Sequence, residues 1–197
     1  MDASGNLTDR SEFSSGKLIR LISYLDPDVA LGVHASRPGW DPANFEASMA
    51  NCRTLNSSVG VHRLSTGDPT STMLRAARRD ANTFSLAWEC DPFTISAGDY
   101  PGMPFLFWPG SGDSYETRGK QLQLSNPMDR VSEGTSMMRS GFTVDFVDGC
   151  WFALNDTDHG VVVDITESRT AENTPIIAFA WNGGHNQIWR AQTVSYS

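Results

Sequence analysis

The chain has 197 residues, a formal net charge of −8 and 39% hydrophobic residues, with six Trp and ten Phe. That is the length of one domain with bulky anchors for a core, and the acidic balance repels a phosphate backbone, so nucleic-acid binding is not expected. No run approaches the ~18 apolar residues of a membrane helix, and the polar start has no apolar leader segment, so a cytoplasmic protein without membrane insertion is expected.

In chain order, residues 1–14 are small and polar and read as a flexible tail; residues 15–197 read as one domain. Residues 17–24 (KLIRLISY) suit a strand or a helix fragment, Asp26-Pro27-Asp28 a turn, and residues 29–33 (VALGV) a strand, together a hairpin. Residues 38–58 are polar and read as an insertion loop, and residues 59–64 (VGVHRL) alternate like a strand. Pro69 at a first turn suits a short helix over 70–79, with a strand as the alternative; Arg75, Arg78 and Arg79 there form the only basic cluster and read as a solvated face. Residues 84–88 (FSLAW) are expected to close a first unit, 15–92. A second unit, 93–148, offers FTIS, PFLFW, KQLQLS and FTVDFV between Gly, Pro, Asp and Ser turns. A third, 149–197, has apolar runs at 151–154, 161–165, 176–181 and 187–191 separated by polar turns. Four runs per unit of roughly 50 residues suit internal repetition. No segment has the period of a long amphipathic helix, so the class is all-β.

Most small motifs exclude chemistry. Cys52, Cys90 and Cys150 are an odd set without C-x-x-C spacing, neither a disulfide framework nor a metal clip; each reads as a small buried hydrophobe. His34, His62, His159 and His185 lack ligand spacing, and the acidic turn from Asn155 to Gly160 misses the calcium-loop offsets. No metal and no cofactor are expected. Gly110-Ser111-Gly112-Asp113-Ser114 contains a G-D-S triplet, but no helical pattern follows and no Asp-x-x-His partners it, so it reads as a turn and no catalytic residue is expected. Sequons at Asn6, Asn56 and Asn155 are expected to stay unmodified in a protein without a leader.

The most specific string is GGHNQIW, residues 183–189. Its Gln187-Ile188-Trp189 resembles the Q-x-W signature of ricin-B-type β-trefoil lectins. The spacing from VVVDI through TPIIAF to NQIW resembles one repeat of that family over the last ~45 residues. The resemblance implies a β-trefoil of three four-strand repeats, the first two degenerate and loop-inserted. It also implies a non-covalent glycan-binding protein whose partners are glycans or glycoproteins. Carried over residue by residue, Asp164 takes two sugar hydroxyls, Phe179 stacks on the sugar face, Asn186 completes the hydrogen bonds and Gln187 steadies the carboxylate. Trp181, beside the turn, competes with Phe179 as platform, and Trp189 packs inside. The chemistry is apt: an ionised carboxylate accepts from vicinal hydroxyls, an amide donates and accepts, and an aromatic face covers a C–H patch. Two positions depart from the family. Ile177 stands where a polar residue is common, and Gly32 stands where the last repeat has Asp164, so the first hairpin lacks a carboxylate.

Plainer roles compete: Asp164 as a turn cap, Phe179 as core, Gln187 bonded to backbone, His185 merely exposed. A single shallow site binds weakly, so a homo-oligomer would supply avidity. Two other functions suit the same scaffold. One is a protease inhibitor acting through residues 38–58 or 109–118; the other is a protein-interaction module that has lost sugar binding.

Overall fold

A computed structural model describes residues 1–34, 58–67, 69–88, 106–107, 117–124 and 140–195. Cys52, Cys90, the Asn56 sequon, FTIS, the Gly-Asp-Ser triplet and nearly all of the 38–58 and 109–118 loops lie outside these residues. The described elements are twelve strands and short 3₁₀ turns. The strands are β1 Leu18–Ser23, β2 Val29–His34, β3 Ser58–Arg63, β4 Leu74–Arg78, β5 Phe84–Trp88 and β6 Leu106–Phe107. They continue with β7 Gln123–Leu124, β8 Phe142–Asp148, β9 Trp151–Asp156, β10 Val161–Ile165, β11 Ile176–Phe179 and β12 Ile188–Thr193.

Six of them close a ring. β1 pairs with β4, β4 with β5, β5 with β8, β8 with β9, β9 with β12, and β12 returns to β1, all antiparallel. Closure removes the unpaired edges that an open sheet would expose. Alternate residues of these strands point inward, as the period of two requires. Leu21, Ala76, Leu86, Leu154 and Trp189 are fully buried. The other six strands form hairpins β2–β3, β6–β7 and β10–β11. The hairpins touch one another in a triangle, through Ser58 with Gln123, Gln121 with Ile177, and Gly60 with Pro175. Their inner faces (Leu31, Val61, Leu106, Leu122, Val163 and Ile176, all fully buried) cap one end of the barrel.

Residues 1–14 are not a loose tail. Asn6 bridges Gln192, the Leu7 amide donates to the Ala191 carbonyl at 2.8 Å, and a 3₁₀ turn, Arg10–Ser14, begins with an Asp9–Glu12 capping box. Leu7 and Phe13 are fully buried, and Phe13 stacks on Phe84 at 5.0 Å and meets Phe152 edge-on at 5.3 Å. Two apolar side chains in a polar stretch bury enough area to hold the segment. Glu12 accepts from the Thr8 and Asp9 amides, the Met1 ammonium and Lys17. Burial alone would raise its pKa, yet these donors hold it down at about 2.

Three further expectations meet the structure here. Residues 70–79, read as a short helix with a strand as the alternative, are a 3₁₀ turn, Pro69–Thr72, followed by the strand β4, so the alternative holds; Leu74 and Ala76 alternate into the core, and burial overrides the helix propensity of Ala and Arg. Phe84–Trp88 is the strand expected there, and it pairs with β4 before it and β8 after it as part of the ring. Cys150 sits in the turn between β8 and β9 and is half-exposed, not buried.

Candidate functional site

The outer face of the β10–β11 hairpin carries two of the predicted residues, Asp164 and Phe179. Register pairs Asp164 with Ile177 and Val162 with Phe179. Side chains directly across a strand pair share a face, and so do those two residues apart. Asp164, Val162, Ile177 and Phe179 therefore point away from the inward Val163, Ile165, Ile176 and Ala178. The segment after β11 folds back over this face. A 3₁₀ turn, His185–Gln187, starts at Gly184 and leads straight into β12.

That turn delivers two amides to the acid. Asn186 Nδ2 donates to Asp164 Oδ1 at 2.9 Å and to the Ile165 carbonyl at 3.1 Å. Gln187 Nε2 donates to Asp164 Oδ2 at 2.8 Å and to the Ala180 carbonyl at 2.9 Å, while its Oε1 accepts from the Asn182 amide at 2.9 Å. Gln187 is fully buried and thus ties strand β10, the 180–184 loop and β12 together. Trp189, two residues on, is fully buried, and its Nε1 donates to the Val163 carbonyl at 3.0 Å.

Asp164 itself is 3% exposed. Burial pushes its carboxyl above the ordinary carboxylate range, and the Gln187 and Asn186 amides pull against that shift. Each carboxylate oxygen has two acceptor sites, and each uses one on a side-chain amide. One acceptor direction per oxygen is left over. Phe179 and Trp181 are 41% and 47% exposed, so both rings stand on the surface rather than in the core. Asn186 is half-buried and His185 exposed. Asp164, Asn186 and Gln187 are thus one hydrogen-bonded group, and Phe179 lies diagonally across the hairpin from Asp164. Trp181 shows no polar contact to that group.

Glycine holds the turn open. A Cβ at Gly184 would stand 2.4 Å from Asn186 Oδ1 and 2.8 Å from Asn182 Oδ1, and the Gly184 amide donates to that Asn182 oxygen at 2.8 Å.

The β2–β3 hairpin carries a histidine where β10–β11 carries Phe179. There Gly32 pairs with Gly60 and Ala30 with His62. His62, across from Ala30 as Phe179 is across from Val162, is buried, and its Nδ1 is 2.8 Å from Glu172 Oε1. A Cβ at Gly32 would meet the His62 Cβ at 2.4 Å. The missing carboxylate is therefore matched by a missing space.

Sequence reasoning passed over one group near the turn, the Tyr24, Trp151, His185 and Arg190 side chains, because residue 24, residue 151 and the 185–190 stretch are far apart in the chain. Among the described residues no three His, Cys, Asp or Glu side chains converge as a metal site, and no helix is long and apolar enough to cross a membrane.

No protein-family model matches the chain, and no curated protein matches it in sequence. Solved structures do. A designed 3-fold symmetric protein, ThreeFoil, is similar over 90% of this chain and 99% of its own, with a TM-score of 0.59 at 14% identity. The Macrolepiota procera ricin B-like lectin in complex with lactose is similar over 92% of this chain and 98% of its own, with a TM-score of 0.58 at 12% identity. An exo-β-1,3-galactanase from Clostridium thermocellum is similar over 90% of this chain but only 30% of its own, with a TM-score of 0.58 at 15% identity. Lectins recur among the similar structures. At these identities the likeness shows the fold, and together with the closed six-strand ring and three capping hairpins it is that of the β-trefoil proteins.

Proposed function

We propose that this protein is a glycan-binding lectin of ricin-B type that catalyses nothing, with one site on the outer face of the β10–β11 hairpin. In this reading the twelve strands are three four-strand repeats, beginning at β1, β5 and β9, and only the third keeps a site. The observation that carries it is the Asp164–Asn186–Gln187 group beside an exposed Phe179. Asp164 accepts from sugar hydroxyls through its unused acceptor directions, Asn186 supplies a further polar contact and Phe179 covers the C–H face of the ring. Gln187 fixes the carboxylate from behind. The bound ligand is neutral or nearly so, which suits a chain of net charge −8. Binding at one shallow site is weak, and self-association of the protein supplies the avidity for glycan-coated surfaces.

A second reading has one observation in its favour. Asp164 is 3% exposed with both oxygens already bonded, as expected of a trefoil that keeps the motif for its fold and has become a protein-interaction module. The 38–58 and 109–118 loops on which protease inhibition would rest fall almost wholly outside the described residues, and nothing favours that alternative. A glycan array read with wild type, Asp164→Ala and Asn186→Ala separates the two readings. Loss of binding in both variants supports the lectin; binding to no glycan at all, or binding that ignores both substitutions, favours the interaction module.

A further inference from the structure

The exposed aromatic rings gather around one turn. Among the described residues the strongly exposed Trp, Tyr and Phe side chains are Tyr24, Phe179 and Trp181, whereas Phe13, Phe142, Phe152 and Trp189 are fully buried. Phe179 and Trp181 lead into the 182–187 turn from one side. Tyr24 reaches it from the other. The Tyr24 amide donates to the Ile188 carbonyl at 3.0 Å, and its ring centroid lies 4.8 Å from that of His185, tilted by 51°. Trp151 meets Tyr24 edge-on at 4.9 Å, and the Arg190 guanidinium carbon lies 5.3 Å from the Trp151 centroid. The Tyr24 ring is 44% exposed despite these contacts. Trp151, edge-on to the ring and itself backed by the Arg190 cation, and the tilted His185 hold the ring in place, and what remains exposed is available to a ligand.

We propose that Tyr24 and His185 form a second sugar subsite, so that the ligand is an oligosaccharide of at least two residues rather than a monosaccharide. The proposal rests on the Asp164 site described above. Asn186 and His185 are consecutive, with Cα atoms ~3.8 Å apart, and their side chains diverge. The Asn186 amide is held on Asp164 and the Ile165 carbonyl, while the His185 ring lies against Tyr24. Two contact surfaces thus flank one turn. A sugar on Asp164 and Phe179 directs its glycosidic neighbour over the turn. There the Tyr24 ring takes a C–H face and His185, which donates through one ring nitrogen and accepts through the other when neutral, meets a hydroxyl. Trp151 and Arg190 position the Tyr24 ring without touching the sugar.

The test is an array carrying galactose, N-acetylgalactosamine, mannose and N-acetylglucosamine, each alone and within di- to tetrasaccharides, read with wild type, Tyr24→Ala, His185→Ala and Asp164→Ala. Tyr24→Ala is expected to weaken oligosaccharide binding about tenfold, the loss of one good aromatic contact. His185→Ala weakens it less, and neither changes monosaccharide binding. Asp164→Ala abolishes both. Oligosaccharide binding unchanged in Tyr24→Ala and His185→Ala, with Asp164→Ala still inactive, overturns the subsite and leaves the Asp164 site standing. Binding that survives Asp164→Ala, or an array with no binding, overturns both. His185 is exposed, so its removal leaves folding intact and keeps the test decisive even where Tyr24→Ala melts early.

Discussion

Replacing Gln187 by Ala removes three hydrogen bonds from a fully buried position, those to Asp164 Oδ2, the Ala180 carbonyl and the Asn182 amide. A bond to a charged partner contributes about 1.5–3 kcal/mol and a neutral one about 1 kcal/mol. The sum is a destabilisation of about 3–5 kcal/mol, which for a chain of this size lowers Tm by roughly 10 °C. The loss has a pH signature. Burial already raises the Asp164 pKa and the Gln187 amide opposes that shift, so deleting Gln187 raises it further. At neutral pH the variant must bury an ionised carboxyl with one donor fewer. Once pH falls below both titrations the carboxyl is neutral in both proteins and only neutral hydrogen bonds are missing. Thermal melts of wild type and Gln187→Ala at pH 7 and at about pH 3, below the ordinary carboxylate titration and so below both raised ones, therefore show a gap that narrows on acidification. A gap of the same size at both pH values, or none at either, refutes the placement of Gln187 as the donor that holds Asp164.

Phe13→Ala takes a fully buried ring from between Phe84 and Phe152 and costs about 3–5 kcal/mol, seen as a Tm drop of roughly 10 °C in calorimetry; a drop under a degree or two returns the segment to a loose tail. Gly184→Ala forces its new methyl toward Asn186 Oδ1 and turns that amide off Asp164; glycan binding falls by at least tenfold while the melt moves little, and unchanged binding on the array would count against Asn186. Gly32→Asp does not create a second site, because His62 occupies the space; it lowers stability, measured by urea midpoint, and adds no binding stoichiometry. Glu12 is held down to about pKa 2, so it stabilises the fold above its ordinary titration near 4.5, and that stabilisation is lost as pH falls toward 2. Glu12→Gln is therefore destabilising at pH 7 and indistinguishable from wild type near pH 2 in the same melts.

The C-terminal strands were legible because each is a short apolar run bounded by Gly, Asn, Asp or Pro, and because Gln187-Ile188-Trp189 resembles a family signature. Trp189 had to be inside, and its indole donates to strand β10 as a buried indole must. The N-terminal segment was not legible. Its two anchors, Leu7 and Phe13, are too few to show a period, and their partners Ala191, Phe84 and Phe152 lie far along the chain. The sequence LRAAR at β4 favours helix locally, and only its pairing with both β1 and β5 makes it a strand. At the site, the resemblance to ricin-B-type lectins brought Asp164, Asn186 and Gln187 together but said nothing of the burial of that carboxyl, which depends on how the 180–187 segment folds back. Tyr24 and Trp151 were invisible as a group, since a meeting of the residue that follows β1 with one at the start of β9 leaves no mark in either stretch alone.

The most direct measurement is an NMR titration of the labelled protein with a glycan bound on the array, following backbone amides. The lectin reading predicts shifts confined to Asp164, Phe179, Trp181 and the 182–187 turn, extending to Tyr24 for a disaccharide. Shifts centred instead on another face, such as the cleft lined by Arg10, Asn82, Phe84 and Thr143, would contradict it.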